Sequence, residues 1–243
     1  MLDLLAFDLD GTLADTEPLK AISYAWAAHR LRPDLDPAAV ERAYADCVGL
    51  SRQEIATSLL RRFGLEAAAR SRDGTVEPWE SYVALRLERY RETLADGDLV
   101  RSYARTDALA LVRDARSVAR SAALVTTSDA RNAGLVLSAL GLADAFDTVV
   151  TADDVAETKP DPEGYLLALS RLGARAERSL GVEDSPAGVK AALAAGLPVV
   201  VVPDDLTREG VGALVASGAL SASSVLTSAD LAETVCQRAA AVD

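Results

Sequence analysis

Asp8 and Asp10 stand two residues apart in Leu4-Leu5-Ala6-Phe7-Asp8-Leu9-Asp10-Gly11-Thr12-Leu13, where an apolar run meets a glycine. Side chains alternate faces along a strand, so both carboxylates point the same way, roughly 7 Å apart. Two anions held that close repel unless a cation lies between them, and a hard divalent ion such as magnesium suits carboxylate oxygen. Gly11 lets the backbone turn sharply past whatever is bound. Taken alone, Asp-x-Asp-Gly reads equally well as a helix cap and a turn.

Other polar groups fall where other apolar runs end. Thr126, Thr127 and Ser128 follow Ala122-Ala123-Leu124-Val125 and offer hydroxyls and N–H groups at a helix start, a setting that suits phosphate. An ordinary N-cap at Ser128 or Asp129 is the alternative. Lys159 stands in Glu157-Thr158-Lys159-Pro160-Asp161-Pro162, a loop stiffened by its prolines. Only Lys20, Lys159 and Lys190 are lysine among 25 basic residues, so each merits attention, although Lys159 alone could be a solvated loop residue. Glu183 and Asp184 close the run Ser179-Leu180-Gly181-Val182, and they would complete an oxygen-ligand set opposite Asp8 and Asp10.

The elements that must position these groups follow from periodicity. Residues 2–8 read as a buried strand. Residues 17–95 change character: apolar positions recur at helical spacing over 18–31, 37–48, 51–65 and 77–94, with no alternation of period two. From about residue 106, helix and strand alternate: 106–119 then 122–125, 131–140 then 148–151, and 162–172 then 179–182. Residues 186–195 lead into 197–202, and a helix over 209–217 precedes the short apolar Val225-Leu226. This alternation predicts a parallel sheet covered on both faces, with ligands outside the carboxyl ends of its strands.

Composition narrows the function classes. A net charge of −12 opposes binding to nucleic acid or to an anionic membrane. No apolar run approaches the roughly 20 residues of a membrane span, and the N-terminus lacks the pattern of a secretory signal, so a cytoplasmic location is expected. Cys47 and Cys236 have no metal-ligand spacing, and a disulfide framework is not expected. His29 is the single histidine, which leaves proton transfer to carboxylates.

Asp8-Leu9-Asp10-Gly11-Thr12-Leu13, Thr126 after its apolar strand, Lys159-Pro160 and Gly181-Val182-Glu183-Asp184-Ser185 resemble, in content and order, the four motifs of the haloacid dehalogenase-like hydrolases. The helical block resembles the helical cap of the subgroup that contains beta-phosphoglucomutase and phosphoglycolate phosphatase. The resemblance implies an α/β protein: a Rossmann-like parallel-sheet core over 1–14 and 97–243, and an inserted all-helical cap over 15–96. It implies that Asp8 attacks phosphorus to form an aspartyl-phosphate and that Asp10 protonates the leaving oxygen and then activates water. Mg2+ would be held by Asp8, the Asp10 carbonyl and Asp184, with Glu183 a further acid at the metal. Thr126 and Lys159 would hold phosphoryl oxygens, with Gly11 and Thr127 beside the substrate.

In the cap, Gly49-Leu50-Ser51-Arg52 resembles the segment that meets substrate in beta-phosphoglucomutase relatives, making Ser51 and Arg52 substrate-binding candidates; a solvated Arg52 is the alternative. Lys20 falls near the histidine that assists proton transfer in mutases, a departure that weakens the mutase reading. Asp15, Thr16 and Glu17 lie at the expected hinge and Gly97 at the return. Ala104-Arg105 replaces a common Pro-Gly, and Thr158 a common glycine.

The expected function is a magnesium-dependent phosphatase for a small phosphorylated sugar or organic acid. A beta-phosphoglucomutase-type isomerase comes second. A non-catalytic phosphometabolite-binding module is the alternative of another class. Dehalogenase and phosphonoacetaldehyde-hydrolase readings are opposed by Asp10, and the latter also by Arg52, which stands where those relatives carry a Schiff-base lysine.

Overall fold

Leu2–Phe7 forms strand β1, buried along its whole length, as a strand covered on both faces of a sheet must be. In the computed structural model, which describes residues 1–48 and 50–242, β1 is the middle of five strands. The others are β2 (Ala119–Val125), β3 (Thr148–Val150), β4 (Ser179–Glu183) and β5 (Val199–Val201). Their order is β3-β2-β1-β4-β5 and every pairing is parallel. The chain steps outward from β1 through β2 to β3, then returns past β1 to begin β4. The order of a doubly wound sheet reverses at such a point, and there the loops part to leave a crevice.

Two compact units divide the chain: Met1–Asp15 with Gly97–Asp243, and Thr16–Asp96. The second unit is wholly helical: α1 (Glu17–Leu31), α2 (Pro37–Ala45), α3 (Arg52–Phe63), α4 (Glu66–Arg72) and α5 (Pro78–Leu94). Proline opens α1, α2 and α5, where its fixed φ suits the first turn. The core of this unit gathers Tyr24, Tyr44, Leu59 and Tyr82, and the Tyr82 hydroxyl donates to the Tyr24 carbonyl at 2.8 Å.

The sheet unit carries α6 (Gly97–Ser102), α7 (Thr106–Val118), α8 (Ala130–Ala139), α9 (Glu163–Leu172), α10 (Pro186–Ala194), α11 (Arg208–Ala216) and α12 (Leu231–Ala240). Leu4, Ala6, Val125, Val189 and Val201 belong to its core. Residues 13–15 and 103–105 form a short ribbon within this unit: Ala14 bridges Ala104, Arg105 N–H donates to the Leu13 carbonyl at 2.9 Å, and Asp15 N–H to that of Tyr103 at 2.9 Å.

The architecture is the expected Rossmann-like sheet with a helical block, and the differences are local. Helix α4 escapes the periodicity because only Ala69 in it is buried. Helix α12, beyond the last expected element, carries a buried stripe of Leu231, Val235 and Ala239, four residues apart. Helix α6 occupies the expected return hinge at Gly97. Val225 makes only an isolated parallel bridge to Val201, so Val225-Leu226 is not a strand. Among the described residues no helix is long and apolar enough to cross a membrane.

Candidate active site

Asp8 follows β1 and Asp184 follows β4, and the two strands are direct neighbours, with Phe7 opposite Val182. That register brings carboxylates from distant parts of the chain together. One oxygen each from Asp8, Glu183 and Asp184 lies within 4.8 Å of the others, and all three residues are buried. The glycine turn makes room for them. Gly11 has φ +93°, and a Cβ there would lie 2.3 Å from Asp184 Oδ2. Thr12 donates its hydroxyl to Asp184 Oδ1 at 3.2 Å.

Lys159 stands among these acids with its side chain 6 % exposed. Its Nζ lies 2.6 Å from Asp8 Oδ1, 2.7 Å from Glu183 Oε1 and 2.7 Å from the Val125 carbonyl. An ammonium has three hydrogens, and all three are engaged. The lysine is thus committed to the Asp8 carboxylate. Its loop contains a cis peptide bond between Lys159 and Pro160. Glu183 Oε1 also accepts from the Tyr165 hydroxyl at 2.6 Å, and Oε2 from Asp184 N–H at 3.3 Å and Ser185 Oγ at 3.5 Å.

Asp10 is half-buried and its carboxylate faces the segment after β2. Oδ2 accepts from Ser128 Oγ at 2.7 Å and from Thr126 Oγ1 at 3.5 Å. Thr126 is pinned by its N–H to the Val150 carbonyl at 2.9 Å, and its hydroxyl accepts from Ser128 N–H at 3.1 Å. Thr127 between them is exposed. The two aspartates of the first motif therefore have different surroundings: Asp8 sits with acids and a lysine, Asp10 with hydroxyls.

Electrostatics follows from this crowding. Burial, then Glu183 and Asp10, raise Asp8 to about 7 against the opposing pull of Lys159. Burial, then Asp8 and Glu183, push Asp184 well above the carboxylate range. For Lys159, burial opposes the charge, but Asp8 and Glu183 outweigh it and hold the ammonium far above its ordinary value. Three buried carboxylates gather beside one ammonium, which two of them contact directly. This donor set of hard, charge-rich oxygens fits a divalent cation such as Mg2+, whose charge would keep Asp8 and Asp184 ionised.

The candidates on the helical unit have partners of their own. Lys20 pairs with Glu17 Oε1 at 2.8 Å, and Glu17 Oε2 accepts from the Tyr44 hydroxyl at 2.5 Å. Ser51 caps α3 in a capping box with Glu54, and Arg52 is the first residue of that helix. Gly49 lies outside the described residues. His29 Nδ1 lies 3.1 Å from the Leu35 carbonyl. Cys47 and Cys236 are both free thiols.

Sequence reasoning missed two residues. Tyr165 lies on the apolar face of α9, where an aromatic reads as core filling. Arg86, in the middle of α5, is 5 % exposed, and its Nε and Nη1 have no hydrogen-bond partner among the described residues. Its guanidinium lies 4.7 Å from the Tyr24 ring centroid and 5.2 Å from that of Tyr90. Only the spacing Tyr82, Arg86, Tyr90, four residues apart on one helix face, could have signalled it.

Sheet order, strand-end acids and buried lysine together define a hydrolase of the doubly wound α/β type. The family model described as haloacid dehalogenase-like hydrolase matches residues 2–196, and the chain belongs to that family. It is similar to a phosphoglycolate phosphatase of Rhodospirillum rubrum, with 34% identity over 210 residues, 86% of this chain and 82% of that protein. It is 32% identical to protein CbbY of Rhodobacter capsulatus, over 85% of this chain and 88% of that one. Among solved structures, CbbY of Rhodobacter sphaeroides in complex with xylulose-(1,5)bisphosphate matches with TM-score 0.66 and 28% identity, covering 86% of this chain and 89% of that chain.

Proposed function

We propose that this enzyme is a magnesium-dependent phosphatase that hydrolyses a small phosphorylated sugar or organic acid through an aspartyl-phosphate on Asp8. One observation carries the reading: Lys159 Nζ bridges Asp8 and Glu183 at 2.6 and 2.7 Å, beside Asp184, in a buried site drawn from the ends of β1 and β4 and the loop before α9. The named activity of the Rhodospirillum rubrum relative supports it.

Asp8 attacks the phosphorus in line, and Lys159 orients its carboxylate and opposes its protonation. Asp10 gives a proton to the leaving oxygen, then takes one from the water that cleaves the acyl phosphate. The Thr126 hydroxyl and the N–H of exposed Thr127 receive phosphoryl oxygens, and Gly11 leaves space for the bound group. Mg2+, when bound by Asp8, Asp184 and the Asp10 carbonyl, supplies neutralising charge to nucleophile and phosphoryl group. Glu183, although among the gathered acids, serves chiefly to hold Lys159. The helical unit Thr16–Asp96 is the cap, with Lys20, Ser51 and Arg52 as its substrate-binding candidates.

The relatives narrow the substrate class: phosphoglycolate and xylulose bisphosphate, named with them, both carry a second anionic group beside the phosphate.

The test is hydrolysis of a generic aryl phosphate by the parent and by Asp8→Asn, with Mg2+ and with chelator. Activity is expected only for the metal-loaded parent. An inactive parent would favour a binding module. Conversion of beta-glucose 1-phosphate to glucose 6-phosphate, in place of phosphate release, would favour the mutase.

A further inference from the structure

Lys159 has three hydrogens and three acceptors, and their balance depends on a residue that touches none of the reacting atoms. Tyr165 is fully buried on α9. Its hydroxyl donates to Glu183 Oε1 at 2.6 Å, the same oxygen that accepts from Lys159 at 2.7 Å. The ammonium also lies 5.1 Å from the centroid of the Tyr165 ring. Packing alone does not call for this hydroxyl: phenylalanine would fill the same space with no polar group to satisfy.

We propose that Tyr165 is a positioning residue that apportions Lys159 between Glu183 and Asp8. Donating to Oε1, the hydroxyl takes up part of the charge that would otherwise draw the ammonium to Glu183. In a buried site such competition is strong, because little solvent screens it. The ammonium then stays shared with Asp8 Oδ1 at 2.6 Å, where it steadies the nucleophile. The ring adds a cation–π contact on a second side.

The helix is placed to do this. Gly164, next to Tyr165, approaches β2 so closely that a Cβ there would lie 3.0 Å from Val125 Cγ1. Val125 also supplies the carbonyl that is the third acceptor of Lys159. One contact between helix and strand thus sets the position of the phenol and of the lysine's backbone anchor. The role in turnover rests on the phosphatase reading; the hydrogen-bond arrangement does not.

The experiment compares the parent, Tyr165→Phe, Glu183→Gln and the double variant. The chain has three lysines, Lys20, Lys159 and Lys190, so a proton–nitrogen NMR spectrum of the ammonium groups in the metal-free protein is simple to assign with Lys159→Arg. Tyr165→Phe is expected to shift the Lys159 resonance and leave those of Lys20 and Lys190 in place. With Mg2+ and an aryl phosphate it is expected to lower kcat by ~10-fold, with KM changed less than ~2-fold. In the Glu183→Gln background the same change is expected to add less than ~2-fold, because the shared charge is gone.

An unmoved Lys159 resonance overturns the proposal, as does a kcat within ~2-fold of the parent or a fully additive loss in the double variant. A thermal destabilisation with unchanged kcat also overturns it, since that marks packing alone. If the parent hydrolyses no phosphate monoester, the phosphatase reading fails separately, and the NMR comparison still decides where Tyr165 sends the ammonium.

Discussion

Gly11 and Asp184 approach so closely that nothing larger than hydrogen fits between them: a Cβ on Gly11 would lie 2.3 Å from Oδ2 and 2.6 Å from Cγ of the aspartate. The φ of +93° adds a conformational penalty for any other residue. Gly11→Ala must therefore displace either the turn or the carboxylate. Displacement of about 1 Å at a reacting centre costs on the order of 100-fold in rate. The expected outcome is a loss of that size in kcat/KM for an aryl phosphate, with a circular dichroism spectrum like the parent's.

Asp8, raised to about 7 chiefly by burial, makes stability and metal binding depend on pH. Its folded value exceeds the ordinary 3.8, so between these values the folded protein keeps a proton that the unfolded chain has lost. The metal-free protein is therefore expected to lose thermal stability as pH rises through that window, and Asp184, also raised by burial, contributes a loss of the same sign. Mg2+ competes with the proton, so its apparent affinity should rise with pH over the same range. Calorimetric melting curves with chelator and with Mg2+ check both statements. A metal-free melting temperature that climbs through the window would refute them.

Asp3, at the start of β1, shows the opposite sign. Hydrogen bonds from Arg175 lead the causes that lower it to about 2, against burial. Arg178 lies 3.6 Å and Arg120 3.9 Å from the same carboxylate. The stability this gives is fully present above the ordinary value of 3.8 and is lost as pH falls toward 2. Arg175 is 58% exposed, so solvent screens the pair. Asp3→Asn is expected to cost about 1 kcal/mol at neutral pH and to flatten the acid limb of the stability profile, as urea titrations at several pH values would read out.

Much of this molecule can be read from its residues in order. The apolar run before Asp8 and the alternation after residue 106 predict a parallel sheet, because strand and helix periods differ and a strand buried on both faces must be apolar throughout. Placing polar residues just after each run predicts the crevice, because ligands gather outside the carboxyl ends of parallel strands. These are local signals, and they predict Asp8, Thr126, Lys159 and Asp184 at the same edge of the sheet. Helix α4 escaped because it buries a single alanine, and Arg86 because a charge inside a helix ordinarily faces water.

The chain's own residues thus determined the family, the strand ends and the kinds of groups available. Which oxygen meets which hydrogen was decided only by the fold, because those contacts join positions far apart in sequence. Lys159 reaches Asp8 across 151 residues, and Thr12 reaches Asp184 across 172. No periodicity encodes that all three ammonium hydrogens are spent, that Asp10 turns toward Ser128, or that a core tyrosine shares a carboxylate oxygen with the lysine. Such pairings depend on register between neighbouring strands and on how closely a helix approaches the sheet. Both are set to within an ångström by packing, whereas the sequence pattern specifies only which face is buried.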